Sequence, residues 1–190
     1  MNRGPRALGA LILLASSLLS CSGDPAIAGD AAVTDSGPTN PGRRVSLVDQ
    51  TRWAVTEGSA DPFPGHRPPA ITCAPGAAKL EGELYELDTR ICNYFSLSQP
   101  AIRPVRAGAN LYLVLWHLVL TSTAPAEAHV AITIGGQTAW ERRIPIPSSE
   151  NVYTPTIPMA VAAREGDPIV LHLHNHGANS WRFLELSTDP

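Results

Sequence analysis

The chain has 190 residues and a formal net charge of −3, with only 16% of its residues charged. A charged fraction below the ~25% of ordinary soluble domains excludes a coiled coil or a solvated charged tail. The slight acidity excludes the basic footprint that nucleic acid requires. The length suits one compact domain.

The first six residues carry Arg3 and Arg6, and a mostly apolar run from Ala7 to Leu19 follows. Charge followed by a short apolar stretch is the pattern of a secretory signal. The run is shorter than the ~20 apolar residues that span a bilayer. Leu18-Leu19-Ser20-Cys21 then resembles the lipobox of bacterial lipoproteins. The resemblance implies a signal peptide over residues 1–20, cleavage before Cys21, a diacylglyceryl group on its thiol and acylation (palmitate) of the new amino terminus. Two or more acyl chains give a stable membrane anchor where one does not. Ser22 in place of an aspartate implies, by the same resemblance, delivery to the outer membrane of the bacterial cell envelope.

With Cys21 lipidated, two thiols remain, Cys73 and Cys92. Export places them in an oxidising compartment, where such a pair reads as a disulfide. A redox or metal-thiolate pair would show CxxC spacing, which is absent. Residues 21–44 comprise the lipidated cysteine and a stretch rich in Gly, Pro, Ser, Asp and Ala. Too few large apolar side chains occur there to offset the entropy of ordering, so a disordered, flexible linker is expected.

The domain is expected over residues 45–190, as short β-rich runs separated by turn signals. Val45–Val55, Leu80–Leu87 and Ile91–Leu97 are the early strand candidates, with the proline-rich Asp61–Pro75 looping between the first two. Leu111–Leu120 is a continuous apolar run, the sign of a strand buried on both faces, with His117 read as a core histidine. Ala128–Ile134 alternates, putting Val130, Ile132 and Ile134 on one face and His129 on the other. Gly135-Gly136 links it to Gln137–Ile144 as a tight hairpin, and Pro145 and Pro147 should end that strand. Asn151–Val161, Ile169–His176 and Ser180–Ser187 complete the set. The stretch from Arg106 into the run at Leu111 echoes the stretch from Arg164 into that at Ile169. All this describes an all-β fold, an antiparallel β-sandwich or jelly roll of about eight to nine strands.

Chemistry concentrates in one strand. Side chains alternate across a strand, so His172, His174 and His176 share a face. Imidazoles so placed can converge two at a time on a metal. A site at His172 and His174, completed by His176 or His129, suits copper or zinc equally, because imidazole binds both. The register of the hairpin expected after this strand is open: a Gly177-Ala178-Asn179 turn sets His174 against Arg182, whereas an Ala178-Asn179 turn sets His172 against Glu185. His172-x-His174-x-x-Gly177 resembles the His-x-His strand motif of the copper type II, ascorbate-dependent monooxygenases, which are jelly rolls. That resemblance implies a copper held by the pair, with a methionine completing its site; Met159 lies upstream of the pair rather than downstream.

An envelope glycan is the competing ligand, with Trp140 and Trp181 as the exposed aromatic candidates for a platform. The acids Glu81, Glu83 and Glu86 read as a solvated face. No GxSxG, HExxH, P-loop or dinucleotide fingerprint occurs, which argues against an enzyme. The resulting expectation is a lipid-anchored binding or structural module with a histidine-lined metal site; the alternative is a carbohydrate- or protein-binding module without metal.

Overall fold

A computed structural model describes residues 43–190. The expected signal peptide, Cys21 and the expected linker up to residue 42 lie outside the described residues. The described residues form twelve strands: β1 (Val45–Ser46), β2 (Ala54–Val55), β3 (Ala78–Glu81), β4 (Leu84–Asp88), β5 (Phe95–Pro100), β6 (Asn110–His117), β7 (Ala126–Ile134), β8 (Gln137–Ile146), β9 (Asn151–Tyr153), β10 (Thr156–Pro158), β11 (Pro168–Asn175) and β12 (Ser180–Thr188). They build two antiparallel sheets. One runs β10-β6-β12-β4-β3, with β1 on β12 and β9 on β6; the other runs β2-β5-β11-β7-β8. The two form a β-sandwich, the expected fold class.

Alternation decides which side chains fill the space between the sheets. Leu111, Leu113, Leu115 and His117 point inward from β6, and Trp181, Phe183 and Leu186 from β12. Val130, Ile132 and Ile134 of β7 and Ile169, Leu171 and Leu173 of β11 answer them from the second sheet. The echo between the runs at Arg106 and Arg164 has a structural counterpart. Each run enters a central strand through a left-handed glycine, Gly108 at φ 80° and Gly166 at φ 90°, and the two strands, β6 and β11, hold central places in opposite sheets.

Several elements differ from the sequence expectation, each for a local reason. Val45–Val55 splits into β1 and β2, one in each sheet, around a turn in which Thr51 donates to Asp49. Leu80–Leu87 contains a hairpin, because Gly82 turns the chain at φ 64° between β3 and β4. The Leu111 run is buried on its inner face only, and Leu118 and Val119 are exposed beyond its end. Pro145 lies inside β8 rather than ending it, which an edge strand tolerates. Glu86 is not solvated; it is buried and bonded to Lys79 and Arg182. The Gly135-Gly136 hairpin is present as expected, with both residues at positive φ, as a type I′ turn demands.

The largest departure concerns β11 and β12. Neither alternative register exists, because the two strands belong to different sheets. The segment between them arches across the sandwich, pinned by Asn175 and by the backbone of Asn179, both donating to Thr89 Oγ1. Gly177 passes so close to the Thr121 carbonyl that a Cβ there would lie 2.2 Å from its oxygen.

Cys73 and Cys92 form the expected disulfide, closing a loop 19 residues in span. Cross-linking a loop of this size removes unfolded-state freedom worth about 3 kcal/mol. Chemical denaturation of the Cys73→Ser/Cys92→Ser protein should show a loss of that order; an unchanged midpoint would remove the staple from the account.

Candidate metal centre

The outer face of the second sheet carries His129 from β7 and His172 and His174 from β11. His174 is paired directly with His129 and His172 with Ala131. An outward sheet face normally meets water, yet His129 is 3% and His172 0% exposed. The cover comes from the segment between β2 and β3. Thr56 hydrogen-bonds to Ser96, and the chain then crosses the face through two 3₁₀ turns, Gly58–Ala60 and Pro64–His66. It returns to the sheet edge at the Cys73–Cys92 disulfide.

Asp61 seats this flap. Its carboxylate has no exposed surface and accepts from the Tyr94 hydroxyl (2.6 Å), the Phe63 amide (3.0 Å) and the Arg67 guanidinium (3.1 Å). Burial alone would raise the Asp61 pKa, but these donors outweigh it and hold the group below the usual carboxylate range. The same burial and the Asp61 charge push the Tyr94 hydroxyl far up, so it stays a donor. With Asp61 in place, the Phe63 ring packs 4.5 Å from His172 and 5.1 Å from His129. Three residues later the Pro64–His66 turn delivers His66 onto them.

Three ring nitrogens converge. Nδ1 of His129 lies 2.8 Å from Nδ1 of His66 and 3.1 Å from Nε2 of His172. All three residues offer ligand atoms within 4.8 Å of one another. Nitrogens bound to zinc at about 2.0–2.1 Å stand roughly 3.3 Å apart in a tetrahedron, so small ring movements would complete the geometry. Burial pushes the His172 pKa down to about 3, with the His129 charge adding to the effect. Burial likewise lowers His129, and then the Arg143 charge. These rings therefore stay neutral, the form that ligates metal. Nε2 of His129 and Nδ1 of His172 have no hydrogen-bond partner among the described residues. A pocket of about 200 Å³ beside the cluster is lined by His66, His129, His174, His176, Glu127 and Arg143.

The expected set is thus partly regrouped. His129 and His172 belong to the cluster. His174 stands at its rim, 6.2 Å ring to ring from His66, with its pKa lowered to about 4 by burial and by His176. His176 lies past the end of β11 and is exposed. The third member, His66, sits in the proline-rich loop, 63 residues from His129. A histidine between prolines was the only signal for it. Met159 is buried in the core between the sheets, so it supplies no ligand of the kind the monooxygenase resemblance implies. Trp140 and Trp181 are 6% and 0% exposed; neither presents a face on which a sugar could stack.

No protein-family model matches the chain, and no curated protein matches it. Among solved structures it is similar to a family 4 carbohydrate-binding module (11% identity, TM-score 0.38, covering 64% of this chain and 77% of that one). It is similar to a family 16 module (10% identity, TM-score 0.37, 63% and 85%), and to the second N-terminal cellulose-binding domain of Cellulomonas fimi β-1,4-glucanase C (16% identity, TM-score 0.31, 64% and 92%). At these values the neighbours assign the chain no ligand.

Two outcomes follow from the site. Asp61→Ala leaves the Tyr94 hydroxyl and Arg67 without their acceptor and should cost about 2–4 kcal/mol; a loss under about 1 kcal/mol in urea unfolding would show that the carboxylate does not seat the flap. The second concerns acid. An unfolded chain protonates its histidines below about pH 6.5, whereas folded His174 and His172 resist until about 4 and 3. The unfolded state binds more protons throughout that window, so metal-free stability is full above pH 6.5 and falls steadily toward pH 3. A denaturation midpoint that stays flat between pH 7 and pH 5 in chelator would contradict neutral buried rings.

Proposed function

We propose that the protein is an exported, lipid-tethered binding module whose β-sandwich holds one transition-metal ion at His66, His129 and His172. The observation that carries the metal reading is the convergence of three imidazole nitrogens, 2.8 and 3.1 Å apart, at a disulfide-fastened flap. Imidazole-only sites suit zinc and copper. Both thiols of the domain are consumed in the disulfide, so no thiolate competes. Three protein ligands leave a coordination position open, as sites that exchange a ligand or carry metal do. The lipobox-like Leu18-Leu19-Ser20-Cys21 supports anchoring of the module in the bacterial envelope through Cys21; mass spectrometry of the native protein should find a lipidated Cys21 at its amino terminus, and an intact Met1 would overturn the anchor.

The metal reading is tested on the mature protein by zinc and copper titration with elemental analysis. One ion per chain is expected. His66→Ala and His172→Ala should each abolish it, while His117→Ala, whose ring lies between the sheets with Nδ1 2.8 Å from the Leu118 carbonyl, should leave it intact. Metal retained without His66 would overturn this centre.

A further inference from the structure

Arg143 stands on β8 directly across from His129. Its guanidinium donates to Nε2 of His66 at 3.0 Å and to the Glu127 carboxylate at 2.9 Å. From these contacts, and resting on the metal reading above, we propose that Arg143 controls metal loading by fixing which ring nitrogens carry hydrogen.

A guanidinium has donors and no acceptor. Nε2 of His66 must therefore be the bare nitrogen, and the neutral ring carries its hydrogen on Nδ1. That hydrogen faces Nδ1 of His129, 2.8 Å away, which has to accept it. A neutral His129 then holds its own hydrogen on Nε2, on the side of Glu141, 3.8 Å distant. Nε2 of His172, 3.1 Å from the same nitrogen, then donates as well and shares the one lone pair of His129 Nδ1, since a bare nitrogen there would set lone pair against lone pair. Nδ1 of His172 is left bare, consistent with its having no partner among the described residues.

A metal needs a lone pair from each of the three converging nitrogens. In the arrangement set by Arg143, two of them, Nδ1 of His66 and Nε2 of His172, are protonated. His172 can shift its hydrogen to its unpartnered Nδ1. His66 cannot, because Arg143 occupies the only other nitrogen of that ring and adds a positive charge beside the incoming cation. Loading the centre requires Arg143 to leave His66, and Glu127, already paired with it at the exposed rim, holds the guanidinium when it does. Arg143 is a positioning residue and makes no contact with the metal.

Arg143→Gln tests this on the mature protein. Glutamine offers a carbonyl that can accept from Nε2–H of His66 and so supports the loaded tautomer. Calorimetric titration with Zn²⁺ should show the variant binding about ten-fold tighter than the wild type or better, the scale of one charge-assisted hydrogen bond. Long-range ¹H–¹⁵N spectra of the metal-free proteins should place the His66 hydrogen on Nδ1 in the wild type and release it from that nitrogen in the variant, a change that a purely structural role for Arg143 would not produce. Equal zinc affinity with an unchanged tautomer overturns the role of Arg143 and leaves the centre standing. If neither protein takes up zinc in a His66-dependent way, the metal reading falls and this proposal with it.

Discussion

The arrangement depends on a single buried carboxylate. Asp61 gathers a tyrosine hydroxyl, an amide and a guanidinium on the outer face of a sheet. A buried ionised carboxylate is costly unless its lone pairs are filled, and here they are. Because Asp61 can be satisfied only in that position, the flap has one seat. Everything distinctive about the site follows from that seat: the Phe63 wall, the arrival of His66, and the loss of water from a face that alternation alone would leave wet.

Desolvation then acts on the imidazoles. A charged ring in this setting would lack solvent, and the carboxylates do not offset that: the Asp61 charge favours a charged His172 but burial outweighs it, while Glu127 and Glu141 lie at the exposed rim with Glu127 paired to Arg143. His129 and His172 are kept neutral, and clustered imidazoles have a hydrogen-bonding problem of their own. Three imidazoles facing inward present three nitrogens but cannot all donate, and cannot all accept without a cation between them. A metal ion would resolve that conflict, and under the proposal above Arg143 would resolve it in the metal-free protein by dictating tautomers from outside.

Much of the fold was legible because it rests on local chemistry. Gly135-Gly136 needs positive φ at both positions and said so; the alternation in Ala128–Ile134 fixed which face His129 takes; and the count of thiols in a chain expected to be exported implied the Cys73–Cys92 bond. What stayed hidden was non-local. The β11–β12 connection reads as a hairpin because its Gly-Ala-Asn turn chemistry is the same whether the chain folds back or arches to the other sheet; Thr89 and Thr121, which decide for the arch, lie far away in sequence. Alternation along β11 correctly put His172 and His174 on one face, but only the register with β7 and the path of the flap select His172 and leave His174 at the rim. Trp140 and Trp181 looked exposed because each begins or alternates within a short strand; the pairing of Trp140 with Ile132 and of Trp181 with Leu87 turns both inward.

His66 was the residue hardest to read, and the reason is instructive. A loop containing Pro62, Pro64, Pro68, Pro69 and Pro75 within fifteen residues looks like a spacer. Proline, however, restricts the unfolded chain as much as it shapes the folded one, so such a segment loses less entropy on ordering than a glycine-rich loop of equal length. Fastened at Thr56 on one side and at Cys73 on the other, the stretch is short, stiff and closed. Those are the properties required to hold an imidazole from outside the sheet within hydrogen-bond distance of one on it. The prolines and the disulfide are therefore part of what positions the histidine cluster.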